Sequence, residues 1–505
     1  MTMNEFCSTY IAIDLGASGG RVMRFQVNQD KQISLHERYR FANRPTLLGN
    51  SLHWDVARLL EEICQGISLC CEEQPLPRSL AIDTWGTDFG LITSSGMLVC
   101  LPFSYRQFSG EETMQRVHHR IHPERLYALT GIQRMPVNTL YQLYEIAQQH
   151  PALVQASDRL LFMPDLLNYF LSGKAVSEVT IASTSQLLNP QTQRWETEIM
   201  DTLELTSRIL PEIVQPGTEL GKLIPEQARR AFIPELTIRT CASHDTASAV
   251  AAAPVSVDNE PWVFISSGTW SLIGVELPSP ILTNQAYMAN FTNEAGVLGT
   301  TLLLKNVTGL WLLQRILQDL SKENGTTDLD SLLAAAGKSP PFYCFINPND
   351  RRFHNPTDMV RAIEEFCLET SQPAPQTPAQ CARCIFESLA FSYASVIETL
   401  KQLTNLNFKR IHILGGGSKN DLLNQWTADA CGLEVIAGPA EATAIGNGLI
   451  QAIQDGWFNS LAEARRSVRN AFPIKIYHPQ DIGSWQDHFS KFLTQTQFHI
   501  NAGDQ

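Results

Sequence analysis

Apolar and polar positions follow the same strand pattern in two separate parts of the chain. In residues 9–26, TYIAIDLGASGGRVMRFQ, an apolar run is followed by a turn of small residues and a second apolar run. Residues 262–275, WVFISSGTWSLIGV, repeat this order. Apolar runs separated by glycine predict a strand, a tight turn and a second strand. The repetition predicts a chain built from two similar halves.

Helical spacing of apolar residues alternates with these strands. It predicts a helix over residues 56–73, which Asp55 can cap, and helical structure through residues 122–172. In residues 410–432, RIHILGGGSKNDLLNQWTADACG, a strand, three glycines and a helix follow in order. Strands that alternate with helices are typical of an α/β fold. We therefore predict two α/β lobes with a cleft between them.

The boundary between the lobes is predicted at residues 253–261, APVSVDNEP, because this segment is polar and rich in turn-forming residues. This boundary gives a first domain of residues 1–253 and a second domain of residues 254–475. Residues 476–505 are predicted to add one strand, one helix and a tail.

One charged pair interrupts the apolar residues 240–253, TCASHDTASAVAAA. The residues before it predict a buried strand, and the small residues after His244 and Asp245 predict the start of a helix. A carboxylate at this point is either a helix cap or a reactive group. Capping alone requires neither the histidine nor the small residues, so we favour a general base, which accepts the proton of an attacking hydroxyl. The small residues are expected to let a ligand approach closely.

Composition limits the possible partners of this chain. It has 505 residues, 44% of them hydrophobic, and a net charge of −13. So acidic a chain is a poor partner for nucleic acid, whose phosphates attract Lys and Arg. Nucleotides are compatible with it, since backbone N–H groups and Mg²⁺ can bind their phosphates. There is no basic leader and no apolar run long enough to cross a membrane, so we expect a cytoplasmic protein without a membrane partner.

The 11 cysteines are spread over the chain, unlike the framework of a small disulfide-linked domain. Cys381 and Cys384 have the spacing of a zinc-binding pair, but no second pair lies at a matching distance. Their segment has helical apolar spacing. We therefore interpret both as thiols that face the core.

Two interpretations fit the first glycine turn. Residues 16–20, GASGG, match the G-x-S-x-G motif of serine hydrolases, in which Ser18 would be the nucleophile. That motif requires a helix after the turn, whereas residues 21–35 alternate like a strand. We favour a phosphate-binding turn, in which successive N–H groups and the Ser18 hydroxyl donate to phosphate. Asp14 ends the preceding strand, where a carboxylate can hold hydrated Mg²⁺.

Two further glycine turns extend the nucleotide hypothesis. Residues 265–271, ISSGTWS, would face the same phosphate chain from the second lobe. The glycines of residues 415–417 would let an adenine ring lie against the backbone without meeting a Cβ atom. A plain turn or close helix packing is the alternative for each. The chain lacks the Walker and dinucleotide-binding glycine motifs, which argues against a P-loop nucleotidase and a Rossmann dehydrogenase.

Six motifs taken together resemble a known family: AIDLGASGGR, AIDTWGTDFG, ASHDTASAV, SSGTWSLIGVE, LLKNVTGLWLLQ and ILGGGSKNDLLNQWTADACG. They are similar to motifs of the FGGY carbohydrate kinases and, among these, of the rhamnulokinases. The resemblance covers residues 9–475. It implies two ribonuclease-H-like lobes of the actin, hexokinase and Hsp70 type. It also implies ATP-dependent phosphorylation of L-rhamnulose to L-rhamnulose 1-phosphate in L-rhamnose catabolism.

The resemblance implies roles for individual residues. Asp245 would be the general base. The sugar would be contacted by Gly86, His244, Asp245, Thr246 and Asn306. ATP would be contacted by Ala17, Ser18, Gly19, Gly20, Arg21, Thr269, Gln314 and Gly416.

The residues themselves suggest further contacts. Asp14 and Asp83 are our candidates for Mg²⁺, held through water. Trp85 and Trp270 either face the sugar or belong to the core. We expect a monomer or a homodimer.

Three positions depart from the family pattern. Gln107 replaces the aspartate of the usual YRD motif, Ala295 replaces a glycine of NEGG, and the first turn is ASGG where ASSG is common. Gln107 would remove a carboxylate near the sugar, so a kinase for L-fuculose or another ketose is an alternative. A second alternative is an ATP-driven conformational protein like actin or a chaperone, which would have no use for His244, Asp245 and Thr246.

Overall fold

The computed structural model describes residues 7–108, 110–230, 235–256, 260–324, 328–354 and 356–498. A mixed sheet forms the centre of each lobe. The first sheet has the strand order Glu219–Lys222, Thr237–Arg239, Pro77–Thr84, Ser8–Gly16, Gly19–Val27 and Ile33–Ala42. The second has the order Thr292–Ala295, Thr301–Thr308, Trp270–Leu277, Trp262–Ser267, Arg410–Leu414, Glu434–Ala437 and Lys475–Tyr477.

The two sheets repeat one arrangement of strands. In the first, Ser8–Gly16 pairs antiparallel with Gly19–Val27 and parallel with Pro77–Thr84. In the second, Trp262–Ser267 pairs in the same way with the next strand of the chain and with a later one, Arg410–Leu414. The predicted duplication of strand, turn and strand is therefore confirmed.

Helices connect the strands, and four small ladders formed by described residues lie outside the two sheets. The ladders pair Thr46–Leu48 with Ser51–His53, Phe89–Ile92 with Arg159–Phe162, Leu188–Asn189 with Arg194–Trp195, and Val176–Glu178 with Glu212–Val214. First-lobe helices are Val56–Cys70, Glu111–Arg120, Pro123–Thr130, Thr139–Gln149, Pro151–Gln155, Met163–Ser172, Val179–Ser183, Thr197–Thr202, Pro225–Arg230 and Asp245–Ala251. Later helices are Asn284–Met288, Trp311–Asn324, Leu329–Lys338, Met359–Glu369, Pro378–Thr404, Asp421–Cys431, Ala442–Gln454, Leu461–Ala471 and Ile482–Thr496.

Local sequence signals predicted one of these elements correctly and part of another wrongly. Asp55 caps the helix Val56–Cys70, because its Oδ1 accepts a hydrogen bond from the N–H of Arg58 at 3.0 Å. The prediction of continuous helical structure over residues 122–172 was wrong at Arg159–Phe162. This apolar tetrapeptide is a strand, since it pairs with Phe89–Ile92.

The predicted domain boundary connects the helix Asp245–Ala251 with the first strand of the second sheet, Trp262–Ser267. Residues 257–259 of this segment lie outside the described residues. The predicted terminal segment begins within the strand Lys475–Tyr477, which is the edge strand of the second sheet. The domain limits themselves stay a prediction.

One helix from the second half of the chain packs on the sheet of the first lobe. In the helix Ala442–Gln454, the Asn447 amide donates hydrogen bonds to the Ala81 carbonyl at 3.1 Å and to Oδ2 of Asp83 at 2.7 Å. One turn later, Gln451 donates to the Ile11 carbonyl at 3.0 Å. These buried bonds tie the two lobes together beneath the ends of the first-lobe strands.

The helix Asp245–Ala251 crosses this interlobe helix at very close range. A Cβ atom on Gly446 would lie 1.8 Å from the backbone oxygen of Ser248. Ala247, Ser248 and Ala249 are buried in this region. The expectation that these small residues make room for a ligand was therefore wrong, because they make room for a helix.

No helix within the described residues combines the length and the apolar character that a membrane span requires.

Candidate active site

A cavity of about 140 Å³ lies between the lobes and receives side chains from both. It is lined by every residue predicted to contact the sugar: Gly86, His244, Asp245, Thr246 and Asn306. Trp85 and Trp270 also line it. The structure thus gathers at one place residues that are more than 200 positions apart in the sequence, from 85 to 306.

Asp245 is the first residue of its helix, and His244 is the helix cap. The alternative that Asp245 only caps the helix is therefore wrong. Its Oδ1 lies 3.2 Å from the Thr246 hydroxyl, which donates to it. The carboxylate is 35% exposed, and it faces the cavity. Its place at the helix N-terminus favours the ionised form.

Opposing effects set the ionisation of this carboxylate and its neighbour. Burial between the lobes raises the pKa of Asp245 above its ordinary value, and the adjacent His244 opposes that shift. For His244, burial lowers the pKa, but the carboxylates of Glu294 and Asp245 outweigh it, so the pKa is raised. The site therefore favours an imidazolium beside a carboxylate of increased basicity, which suits a general base.

A buried carboxylate fixes the backbone that leads to Asp245. Glu178 accepts hydrogen bonds from the Ser243 N–H at 3.0 Å and from the Thr180 hydroxyl at 2.5 Å. The Thr180 oxygen in turn accepts from the N–H of His244 at 3.1 Å. Burial raises the pKa of Glu178 to about 7. No local pattern predicts this support, because residue 178 lies 65 positions before residue 243.

The two predicted metal ligands lie side by side on adjacent parallel strands, where Asp14 and Asp83 are direct partners in register. Asp14 pairs with Arg21 at 2.6 Å, and Arg21 also pairs with Glu441. Asp83 accepts from Asn447, but its Oδ1 is buried and has no hydrogen-bond partner among the described residues.

Burial raises the pKa of both aspartates. The charge of Asp14 adds to the shift at Asp83, and the charge of Asp245 adds to the shifts at both. Asp83 thus has an unpaired buried oxygen. The carboxylates of this cluster, Asp14, Asp83, Glu441 and Asp245, outnumber its cation, Arg21. A divalent cation fits this donor set, since Mg²⁺ prefers carboxylate and water oxygens. No sequence motif pointed to Asn447, which lies in the interlobe helix, or to Glu441, the residue before that helix.

A second cavity, of about 730 Å³, is also lined by residues of both lobes. Ser18 and Thr269, at the tips of the two equivalent hairpins, line it together with Gln314. Tyr105 and Trp270 line the smaller cavity, while their chain neighbours Arg106 and Thr269 line the larger one. Two stretches of the chain, residues 105–106 and 269–270, thus contribute to the walls of both cavities.

The remaining residues predicted to contact ATP have separate local roles. Ala17 is in the first hairpin turn, and its carbonyl accepts a hydrogen bond from Arg106 at 3.3 Å. Gly19 and Gly20 begin the second strand, where a Cβ atom on Gly20 would meet Phe41 at 2.3 Å. Arg21 points to Asp14 and Glu441.

The three glycines after the strand Arg410–Leu414 differ in their purpose. Gly415 has a φ of 80°, which favours glycine. A Cβ atom on Gly417 would lie 2.0 Å from the Ser267 hydroxyl, so this glycine serves packing. Of these three glycines, Gly416 is the one where a Cβ atom would meet no other atom within 4 Å. The room for an adenine ring is thus predicted at Gly416 alone.

Two expectations about single side chains are revised. Gln107 does not line the sugar-side cavity, because its side-chain oxygen accepts from the N–H of Leu52 and it lines a separate pocket with Phe103 and His150. The expectation that it changes the sugar side was therefore wrong. Trp85 is both core and cavity wall: it is 7% exposed, and its indole N–H donates to Asp88 at 3.0 Å.

Cys381 and Cys384 are buried in the long helix Pro378–Thr404, as predicted. Cys384, however, lies with Cys344 and Cys367 in a buried group whose sulfur atoms are all within 4.8 Å of one another. The spacing of the CxxC pair did not reveal this group, because its other members come from two different parts of the chain.

Comparison with known proteins decides the family. The N-terminal and C-terminal domain models of the FGGY family of carbohydrate kinases match residues 9–252 and 263–454. The rhamnulokinase of Bacteroides thetaiotaomicron is 41% identical over 483 residues, which cover 96% of this chain and 98% of that protein. The rhamnulokinase of Bacillus subtilis is 41% identical over 473 residues, with coverage of 94% and 96%.

The chain belongs to the FGGY family of carbohydrate kinases. The alternative of an actin-like or chaperone-like conformational protein is therefore wrong. Solved structures of sugar kinases agree with the two-lobed fold. Gluconate kinase from Lactobacillus acidophilus superposes with a TM-score of 0.79 at 16% identity, covering 98% of this chain and 99% of that one. Plasmodium falciparum glycerol kinase with ADP gives a TM-score of 0.77 at 13% identity, covering 97% and 99%.

The pairing of strands around residues 16–20 decides between the two interpretations of the first glycine turn. Residues 16–20 form a hairpin between two antiparallel strands, so the helix that a nucleophile elbow requires is replaced by the strand Gly19–Val27. Ser18 is exposed at the hairpin tip. Its hydroxyl is placed to donate a hydrogen bond into the larger cavity, and the serine-hydrolase interpretation is wrong.

Replacing Ser18 with alanine is expected to reduce the phosphorylation rate by about tenfold at most, because a neutral hydrogen bond contributes on the order of 1 kcal/mol. Steady-state kinetics with varied ATP would measure the change. Complete inactivation, together with stoichiometric labelling of Ser18 by a fluorophosphonate, would contradict this role and restore a nucleophilic serine.

Proposed function

We propose that this kinase transfers the γ-phosphoryl group of ATP to the 1-hydroxyl of L-rhamnulose, giving L-rhamnulose 1-phosphate in L-rhamnose catabolism. The observation that carries the mechanism is the carboxylate of Asp245 in the wall of the smaller cavity, among the other four residues expected to bind sugar. The substrate is inferred from relatives called rhamnulokinases that match almost the entire chain.

In this proposal, the sugar occupies the smaller cavity and the nucleotide occupies the larger one. Asp245 accepts the proton of the attacking hydroxyl as the bond to the γ-phosphorus forms and the bond to the β-phosphate oxygen breaks in line. Glu178 and Thr180 hold the backbone before Asp245, so the carboxylate does not need to be reorganised during the reaction.

The nucleotide is expected to be held by the two duplicated hairpins. Backbone N–H groups and the hydroxyls of Ser18 and Thr269 would donate to its phosphates, and Gln314 lines the same cavity. Gly416 would leave room for the adenine. The prediction from duplicated sequence, that hairpins from two lobes face one phosphate chain, is thus compatible with the geometry.

Asp14 and Asp83 are the residues that would hold Mg²⁺. The buried, unpaired Oδ1 of Asp83 and the raised pKa values of both aspartates fit a cation that supplies positive charge to this site. When bound, the ion would neutralise phosphate charge. Arg21 already bridges Asp14 and Glu441. It therefore keeps Asp14 in place whether or not the ion is present.

The departures from the rhamnulokinase pattern do not reach the sugar cavity. Neither Gln107 nor Ala295 belongs to its wall. Gln107 lines another pocket, and the N–H of Ala295 donates to the Ser183 hydroxyl at 2.9 Å. L-rhamnulose therefore stays the first choice over L-fuculose.

The substrate is tested by ADP release in a coupled assay with L-rhamnulose, L-fuculose, D-xylulose and glycerol. L-rhamnulose is expected to give the highest kcat/KM, and omission of Mg²⁺ is expected to abolish ADP release. A higher kcat/KM for any of the other three acceptors would overturn the substrate assignment while leaving the carbohydrate kinase family unaffected.

A further inference from the structure

Glu294 faces His244 across the cleft between the lobes. It is carried by the second-lobe strand Thr292–Ala295, and its Oε2 lies 3.2 Å from Nδ1 of His244. On the other side of the ring, Nε2 lies 3.4 Å from Oδ1 of Asp245. The side chains of His244 and Glu294 are 8% and 7% exposed, and neither facing atom has a hydrogen-bond partner elsewhere among the described residues.

The backbone on both sides of Glu294 is anchored to the first lobe. The N–H of Asn293 donates to the Gly131 carbonyl at 2.8 Å, and the N–H of Ala295 donates to the Ser183 hydroxyl at 2.9 Å. These bonds do not involve the Glu294 side chain. A substitution that keeps the shape of this side chain should therefore change its charge without moving the strand.

We propose that Glu294 is a positioning residue that acts on the base through His244. Its carboxylate keeps the imidazole protonated and fixed in orientation, and the imidazolium keeps Asp245 ionised and directed into the sugar cavity. This inference rests on the proposed function, because it requires Asp245 to be the proton acceptor. The second lobe would thus complete a base that the first lobe carries.

The charges around the imidazole explain the direction of this effect. A histidine this deeply buried would ordinarily lose its proton, because burial disfavours the charged form. The groups that face it, Glu294, Asp245 and Glu178, are all acidic and raise its pKa. Without the positive ring, Asp245 would lose the charge that most opposes the effect of burial on its own pKa.

Glu294 also lines the sugar cavity, so direct sugar binding is the rival explanation. The two roles give different kinetics. If Glu294 binds the sugar directly, substituting it should raise the KM for sugar and leave the pH profile of kcat in place. A positioning residue should lower kcat and move the acidic limb of its pH profile, because that limb reports the ionisation of the base in the complex.

The test is the Glu294→Gln variant, which keeps the length and hydrogen-bonding capacity of the side chain but removes its charge. With saturating L-rhamnulose and MgATP, kcat at neutral pH should fall by about tenfold. Removing the Glu294 charge by itself lowers the pKa of Asp245, but the loss of the imidazolium raises that pKa by more. The acidic limb should therefore move to higher pH, by up to about one unit. The KM for sugar should change by less than about threefold. Glu294→Asp keeps the charge and should leave the limb near its wild-type position.

A second readout does not depend on turnover. Nitrogen-15 NMR of labelled histidine, with the His244 signals assigned from a His244→Gln variant, follows protonation of the ring directly. The ring should titrate at lower pH in Glu294→Gln than in the wild type. Unchanged titration of His244 with an unchanged acidic limb would overturn the proposal, and a raised KM alone would make Glu294 a sugar ligand. Failure of the base assignment would show separately, as an active Asp245→Asn variant.

Discussion

The Asp245→Asn variant is expected to fold and to bind both substrates, yet to lose about 10²–10⁴-fold in kcat, the usual cost of removing a positioned base. The amide has nearly the same shape as the carboxylate, and it can still accept the hydrogen bond that the Thr246 hydroxyl donates. It cannot take the proton of the sugar hydroxyl. Because proton acceptance matters chiefly in the transition state, the loss should appear in kcat and much less in substrate affinity.

Asp55→Asn is the matched control for this variant. Asp55 is a true helix cap, with its Oδ1 3.0 Å from the N–H of Arg58, and asparagine caps helices about as well. The control should keep both the melting temperature and kcat. An Asp245→Asn protein with the wild-type melting temperature and more than about a third of the wild-type kcat would refute the base assignment, since removing a base costs far more.

Gly446→Ala is expected to destabilise the protein by about 1–3 kcal/mol, although alanine is the better helix former. The new methyl group would lie 1.8 Å from the Ser248 oxygen, so the two helices that cross there must separate. One helix begins with Asp245, and the other carries Asn447, which binds Asp83. Activity should therefore fall together with the melting temperature.

Gly483→Ala is the control for the helix crossing. Gly483 is also helical, but a Cβ atom there would meet nothing within 4 Å. This variant should melt at the wild-type temperature or slightly above it, because alanine favours helix over glycine. If Gly446→Ala melted no earlier than Gly483→Ala, the close crossing would not be a constraint on the fold.

The sequence was most informative where the signal was local. The paired hairpins, the Asp55 cap and the small-residue helix after Asp245 all depend on residues within a few positions of each other, and periodicity or capping rules identify them. The family resemblance then brought Gly86, His244, Thr246 and Asn306 together with Asp245. The structure places all five around one cavity.

Contacts that join distant segments of the chain could not be predicted from the sequence. The small residues after Asp245 looked suited to a ligand, because nothing in the sequence shows that Gly446 crosses at Ser248. Glu178, which holds the backbone at Ser243, carries no motif of its own. Glu294 was noted only as part of a motif that departs from its family, and its contact with His244 needs both lobes.

The most direct test of the central claim, that Asp245 takes the proton of a ketose hydroxyl, is the single-turnover rate of phosphoryl transfer as a function of pH. Rapid quenching of a preformed complex with L-rhamnulose and MgATP isolates this step from product release. In the wild type, the rate should rise with pH to a plateau, with an acidic limb above the ordinary aspartate range, because burial raises the pKa of Asp245. In Asp245→Asn, the rate should be lower by at least about 100-fold and should lack that limb. A variant that keeps the same limb at a comparable rate would contradict the account, because another group would then accept the proton.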